Sequence, residues 1–136
     1  MGMRVRISRG VLDALQRESA AASPAEACGL LFGNAEEITG FRTAGNVADA
    51  PERRFEIDPR TLFAALRAER AGGPRVIGYW HSHPGGDPTP SATDAAMAEP
   101  DGKLWLILGS AGYSLHRAVA QGTLHGRFDP APALET

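Results

Sequence analysis

Apolar and polar positions change rhythm several times along the chain, and each change predicts an element. Residues 4–7 alternate like a short half-buried strand, and Ser8 stands at a helix N-cap position ahead of Val11, Leu12 and Leu15 on one helical face. That first helix should end near residue 22, where Ser23-Pro24 breaks the pattern. An apolar run at 28–32, closed by Gly33-Asn34, can pair with 37–41 as a hairpin. Residues 43–51 read as a loop and 53–57 as a strand with Phe55 and Ile57 on one face. A second helix is better marked. Asp58 can cap it, Pro59 suits its first position, Leu62, Phe63 and Leu66 recur at helical spacing, and Gly72-Gly73-Pro74 stops it. Residues 76–80, β-branched and aromatic between turn residues, predict a buried strand running into His81. A loop at 84–90, a helical segment at 91–98 and strands at 103–108, 113–119 and 123–128 complete the pattern. The Pro- and Ala-rich residues 129–136 are expected to fray. The order is that of one mixed α/β domain with a largely antiparallel sheet in its C-terminal half.

Composition narrows the function classes. The chain has 136 residues, 43% of them hydrophobic and 22% charged, which suits a single domain with a core of ordinary size. With 14 Lys+Arg against 16 Asp+Glu the net charge is −2, so a domain whose affinity rests on neutralising phosphates is not expected. The longest apolar run, residues 104–108, falls far short of the roughly 18 residues a membrane-spanning helix needs. Residues 1–6 lack the apolar stretch of a secretory signal, and the single Cys28 has no internal disulfide partner, so a reducing cytoplasm is the expected compartment.

The candidate chemistry lies around His81-Ser82-His83-Pro84. Alternate side chains of a strand point to the same side, so both imidazoles can reach one metal ion. A third ligand can come from Asp94, which lies one helical turn after Ser91 at the start of the predicted helix. The loop between them holds three prolines and can fold that helix start back over the histidines. Two neutral histidines and a carboxylate suit zinc and leave a fourth tetrahedral position for water, whose pKa zinc lowers to about 7. Glu26, at the mouth of an apolar strand, can serve as base once partly desolvated, and Ser91 can donate to the oxyanion of a tetrahedral carbonyl.

Each piece alone has a plainer reading. Histidines two apart occur by chance on many strands, Ser91 and Asp94 also form a helix capping box, and an isolated glutamate is usually solvated. His116 and His125 read as structural or surface residues, and Cys28 as a small buried apolar residue. The joint pattern is more specific. Glu26, His81, His83, Ser91 and Asp94, with Glu26-Ala27-Cys28-Gly29 and His81 through Asp94 around them, resemble the signature of the JAMM metallopeptidases, the catalytic MPN type. Arg54-Phe55-Glu56-Ile57-Asp58-Pro59 looks like the segment before the long helix in compact bacterial members.

The resemblance implies a JAMM/MPN domain over residues 1–128, with a curved, mixed and mostly antiparallel sheet flanked by helices and a flexible tail at 129–136. It implies Zn2+ held by His81, His83 and Asp94, Glu26 as general acid/base acting through the metal's water, and Ser91 stabilising the tetrahedral intermediate. Trp80, ahead of the first histidine, is expected to face away from the zinc. The implied activity is hydrolysis of peptide or isopeptide bonds after the C-terminal Gly-Gly of a small ubiquitin-like or sulfur-carrier protein. Such a tail can add to a sheet edge, and its side-chain-free end can pass a narrow cleft. Two rivals stay open. A non-catalytic MPN-type interaction module would usually lack one of the five positions. A RadC-like DNA-associated protein shares a similar His-x-His-Pro-x-Gly-Asp-Pro run, but without the Glu26 to Gly29 element.

Overall fold

Ser8 Oγ accepts the Val11 N–H at 3.1 Å and starts the first helix where the apolar spacing put it. The computed structural model describes residues 4–136; residues 1–3, part of the expected domain and of the segment read as lacking a signal, lie outside the described residues. The elements are β1 (Val5–Ile7), α1 (Arg9–Ala22), β2 (Cys28–Asn34), β3 (Glu37–Ala44), α2 (Pro59–Arg70), β4 (Val76–Ser82), α3 (Ala92–Met97), β5 (Leu104–Gly109), β6 (Gly112–Gly122), β7 (Gly126–Pro130) and β8 (Ala133–Glu135). No described helix is long and apolar enough to cross a membrane.

All described strands join one sheet in the order β7-β6-β5-β4-β2-β3-β1-β8. Antiparallel pairing joins β2 to β3 and β4, and joins β6 to β5 and β7. β4 and β5 run parallel, which requires a crossover, and α3 with its flanking loops supplies it. The sheet divides two apolar layers. On one face Leu12 and Leu15 of α1 pack among Ile7, Leu31, Trp80, Leu106 and Leu108. On the other, Ala65, Leu62 and Leu66 of α2 cover Leu30 and Val76, and a second cluster gathers Cys28, Phe55, Trp105 and Phe128. His81, opposite Cys28 in the register, opens onto this second layer.

Three local expectations are corrected. Residues 53–57 form no strand; a single bridge joins Ile57 to Asn46, because the Asn46 side chain takes the Glu56 N–H and the Arg54 carbonyl that a ladder would use. Of residues 123–128, the first three form a turn and the strand begins at Gly126, with His125 at φ 52°. The segment 129–136, expected to fray, is paired. β8 runs parallel to β1, Thr136 N donates to the Ile7 carbonyl at 2.9 Å, and Ala131 is buried in the α1 layer. Composition suggested a loose end, but β1 offered an unpaired edge for it to cover.

Candidate metal centre

The β4 strand ends at Ser82, yet the His83 N–H still donates to the Leu108 carbonyl at 2.8 Å, so the chain stays extended for one more residue. The two imidazoles therefore project the same way, with their Nε2 atoms 3.1 Å apart. His83 Nδ1 lies 2.8 Å from the Asp87 carbonyl; a carbonyl only accepts, so Nδ1 carries the hydrogen, and Nε2 donates to Asp94 when protonated and offers its lone pair to an ion when neutral. His81 is fully buried and is oriented differently: its ring stacks on Phe55 with centroids 4.3 Å apart, and its Nδ1 has no hydrogen-bond partner among the described residues.

Asp94 arrives from the first turn of α3. Ser91 caps that helix, its Oγ accepting the Asp94 N–H at 3.0 Å while Asp94 Oδ2 accepts the Ser91 N–H at 3.0 Å. The same carboxylate reaches both histidines, with Oδ1 3.2 Å from His81 Nε2 and Oδ2 3.2 Å from His83 Nε2. Capping and the histidine contacts are thus made together. The loop 84–90 is folded back by anchors on the β5–β6 hairpin: Ser110 N donates to the Gly86 carbonyl and Ser114 Oγ to the Pro88 carbonyl. Gly109 permits this approach, since a Cβ there would sit 2.6 Å from the Gly86 oxygen.

Glu26 precedes β2 and is 6% exposed, with Oε1 buried and unpartnered. One ligand atom from each of Glu26, His81 and His83 lies within 4.8 Å of the others. Two sets of three donors thus share the histidine pair, one completed by Glu26 and one by Asp94. The described residues fit a metal ion. A tetrahedral ion about 2.1 Å from each ligand spaces ligand atoms about 3.4 Å apart, and the contacts here are of that order: 3.1 Å between the two Nε2 atoms, and 3.2 Å from each Nε2 to its own Asp94 oxygen, Oδ1 for His81 and Oδ2 for His83.

The two carboxyls are driven apart electrostatically. Burial, helped by the Asp94 charge and opposed by His83, pushes Glu26 up to about 7. Burial also works against Asp94, but hydrogen bonds from His81 and His83, the His81 charge and the Ser91 N–H hold it well below the usual carboxylate range. Burial lowers His81 and outweighs the pull of Asp94. At His83 burial works in the same direction, but hydrogen bonds to Asp94 and the Asp87 carbonyl, with the Asp94 and Glu26 charges, raise it. At neutral pH the site holds one firm carboxylate, one carboxyl poised to take or release a proton, and a buried neutral imidazole.

Cys28 is buried beside this centre, and burial, then the Glu26 charge, pushes its thiol up to about 12, which leaves no thiolate nucleophile. Trp80 belongs to the α1 layer, on the other face of the sheet from His81, and its Nε1 donates to the Arg42 carbonyl. His116 is buried against Phe128, and His125 Nε2 lies 3.1 Å from the Pro90 carbonyl. Two residues escaped the sequence reading as parts of the site, Phe55 and Asn46. Phe55 was placed on a strand, and the one signal for Asn46 was an asparagine opening a loop, able to bond its own backbone two residues on. Ala48 N does donate to its Oδ1. A cleft of about 900 Å³ runs beside the centre, lined by Val47, Asp49, Arg54 and Phe55 on one side and by Thr93 and Met97 of α3 on the other.

A family model described as prokaryotic homologs of the JAB domain matches residues 8–121. A desampylase of Haloferax volcanii is 42% identical over 94 residues, covering 67% of this chain and 68% of that protein. A probable TtuB-protein conjugate cleaving protease of Thermus thermophilus is 30% identical over 97 residues, covering 71% of this chain and 65% of its own length. A protein of Desulfitobacterium hafniense solved in solution has the same fold, with TM-score 0.80 at 23% identity over 97% of this chain and 92% of that one.

Proposed function

The chain belongs to the prokaryotic JAB-domain family, and from that premise we propose that it is a zinc-dependent hydrolase of peptide or isopeptide bonds. Its substrate is a small ubiquitin-like or sulfur-carrier protein, cut after a C-terminal Gly-Gly. The observation that carries this reading is the cluster in which the two Nε2 atoms lie 3.1 Å apart and each lies 3.2 Å from one oxygen of Asp94, with a second, proton-holding carboxyl beside it. We assign His81, His83 and Asp94 as ligands and Glu26 as the acid/base, rather than Glu26 as a ligand. Asp94 stays ionised and touches both imidazoles, whereas Glu26 keeps an affinity for protons near neutrality.

Bound zinc would supply a Lewis acid for the amide carbonyl and acidify the attacking water. Glu26 is placed to accept a proton from the attacking water and to return it to the leaving amine, the task for which a carboxyl near 7 is suited. Ser91 Oγ accepts from Asp94 N, so its own hydrogen is free to point at the oxyanion. The cleft leads an extended tail past the half-exposed Val47 and Met97 toward Phe55, where a chain end without side chains passes most easily. Relatives named as a desampylase and as a conjugate cleaving protease support a protein-conjugate substrate. The presence of all five positions speaks against a non-catalytic module. We place the activity in the cytoplasm, where a lone buried thiol such as Cys28 persists unmodified.

The test is incubation of the zinc-loaded protein with carrier proteins extended beyond their Gly-Gly ends, read by mass spectrometry. Release of the extension, stopped by a chelator and restored by zinc, is the expected result. Intact substrates throughout, at one zinc per chain, would sink the reading.

A further inference from the structure

Glu26 and His81 share a feature that His83 and Asp94 lack: neither owes its position to the histidine loop. We propose that residues 46–57 are a positioning strap, in which the Asn46 amide fixes the backbone of Glu26 and presents Phe55 to the ring of His81. This rests on the assignment of Glu26 and His81 given above.

Glu26 lies two residues ahead of the β2 ladder, and its backbone bonds go to the strap. Its N–H donates to the Pro51 carbonyl at 2.8 Å and its carbonyl accepts from Asn46 Nδ2 at 3.0 Å. The Asn46 amide is used at both ends. Nδ2 also faces the carbonyls of Arg54 and Pro51 at 3.1 and 3.3 Å, while Oδ1 accepts from Ala48 N and Glu56 N at 3.0 and 3.1 Å. Phe55 is held between two of these bonds, at Arg54 O and Glu56 N. Its ring, 4% exposed, lies 23° from the plane of His81, and Trp105 meets the same imidazole edge-on at 84°.

Ligand imidazoles are ordinarily fixed by a hydrogen bond from the second nitrogen. His83 has one, to Asp87; His81 has none, its Nδ1 being buried without a partner. With Nδ1 unpartnered, aromatic packing from Phe55 and Trp105, together with the Asp94 contact at Nε2, sets the angle at which His81 would face a metal ion. One side-chain amide thus governs both where the proton carrier sits and how one ligand is turned, without touching metal or substrate.

Two substitutions separate these roles from simple support of the fold. Asn46→Asp keeps an oxygen for Ala48 N and Glu56 N but cannot donate to Glu26. It is expected to lower kcat per bound metal by about tenfold or more while KM stays near wild type, and to weaken zinc binding less than loss of the Phe55 ring does, because the Glu56 N bond that holds Phe55 is kept. Phe55→Leu keeps an apolar side chain but loses the ring face. It is expected to weaken zinc binding by about tenfold, within the range for lost support of a ligand, and to alter the visible spectrum of the cobalt-substituted protein. Asn46→Asp with wild-type kcat, or Phe55→Leu with wild-type zinc affinity and cobalt spectrum, would overturn the strap. His81→Ala is the control. If it loses metal while the two strap variants are silent, only the strap fails; if wild-type protein binds no metal, the reading of the centre fails with it.

Discussion

Two loops face each other across the metal centre and are stiffened in different ways. Residues 84–90 hold three prolines and are tied at several places to the β5–β6 hairpin and the β6–β7 turn, through Gly86, Pro88 and Pro90. They join His83 to Asp94, groups that must meet within a few tenths of an ångström. Residues 46–57 are organised around the single side chain of Asn46, and they hold Glu26 and Phe55. Ligands that share an ion need many independent anchors, because one misplaced ligand opens the site. A proton carrier tolerates more motion, since it acts across a water molecule. Damage on the ligand side should therefore cost metal outright, whereas damage on the strap side should cost turnover where it reaches Glu26 and about tenfold in metal affinity where it reaches Phe55.

The largest effect is expected at Asp94. Asp94→Ala removes a proposed ligand, leaves both imidazoles without their partner and takes away the Asp94 half of the α3 capping box, so metal content should fall from one equivalent to near zero and activity with it. Elemental analysis after gel filtration measures this directly, and a fully loaded variant would exclude Asp94 as a ligand. Glu26→Gln comes next. The amide is isosteric but cannot carry the proton, so zinc content should hold while kcat falls about a hundredfold or more. A variant that kept its turnover would remove the acid/base role, and one that lost its zinc would move Glu26 into the ligand set.

The same division explains what could be read from the sequence. The convergence of His81, His83, Ser91 and Asp94 was legible because its geometry is local: a one-residue gap on a strand, a Pro-Gly loop and a capping box bring them together by rules that depend on spacing alone. The helices were legible for a similar reason, with Ser8 and Asp58 accepting from Val11 N and Arg60 N as their positions suggested. The strap was not. Asn46 earns its role from carbonyls at residues 26, 51 and 54, a convergence no periodicity reports, and the alternation of Phe55 and Ile57 mimicked a strand whose hydrogen bonds Asn46 had taken. The end of the chain was misread for a related reason: β8 is held by β1, 128 residues away by the Val5↔Ala133 register, and Pro-Ala composition says nothing about an edge so distant.

A smaller effect probes the anchors of the ligand loop one at a time. Ser114 Oγ donates to the Pro88 carbonyl at 2.6 Å. Ser114→Ala removes that bond but leaves those at Gly86 and Pro90, so stability should fall by about 1 kcal/mol and zinc affinity by no more than a few-fold. Denaturant titration and chelator competition measure the two. Outright loss of metal would show that the loop hangs on this one anchor and that the contrast between the loops is false.

The last effect is read in metal-free protein and sets Glu26 against Asp94 as the pH changes. Glu26 rises from 4.5 to about 7 in the fold, mainly through burial, so the folded chain keeps a proton that the unfolded chain releases. Its contribution to stability is complete below 4.5 and is lost as the pH rises through about 7. Asp94 has the opposite sign: its folded value lies below 3.8, so its contribution is present above that pH and is lost as acid is added. Between about pH 5 and pH 8 Asp94 does not titrate, and the shifted histidines His81, His83 and His116 titrate in wild type and in Glu26→Gln alike, so the difference between the two proteins reports Glu26. Glutamine has no proton to lose, so the melting temperature of metal-free wild type should drop relative to Glu26→Gln by a few degrees across that interval and level off above it. Thermal melts in excess chelator give the comparison. A constant gap between the two proteins would mean that Glu26 ionises like an ordinary carboxylate, and the reason for assigning the proton to it and the ligand role to Asp94 would be gone.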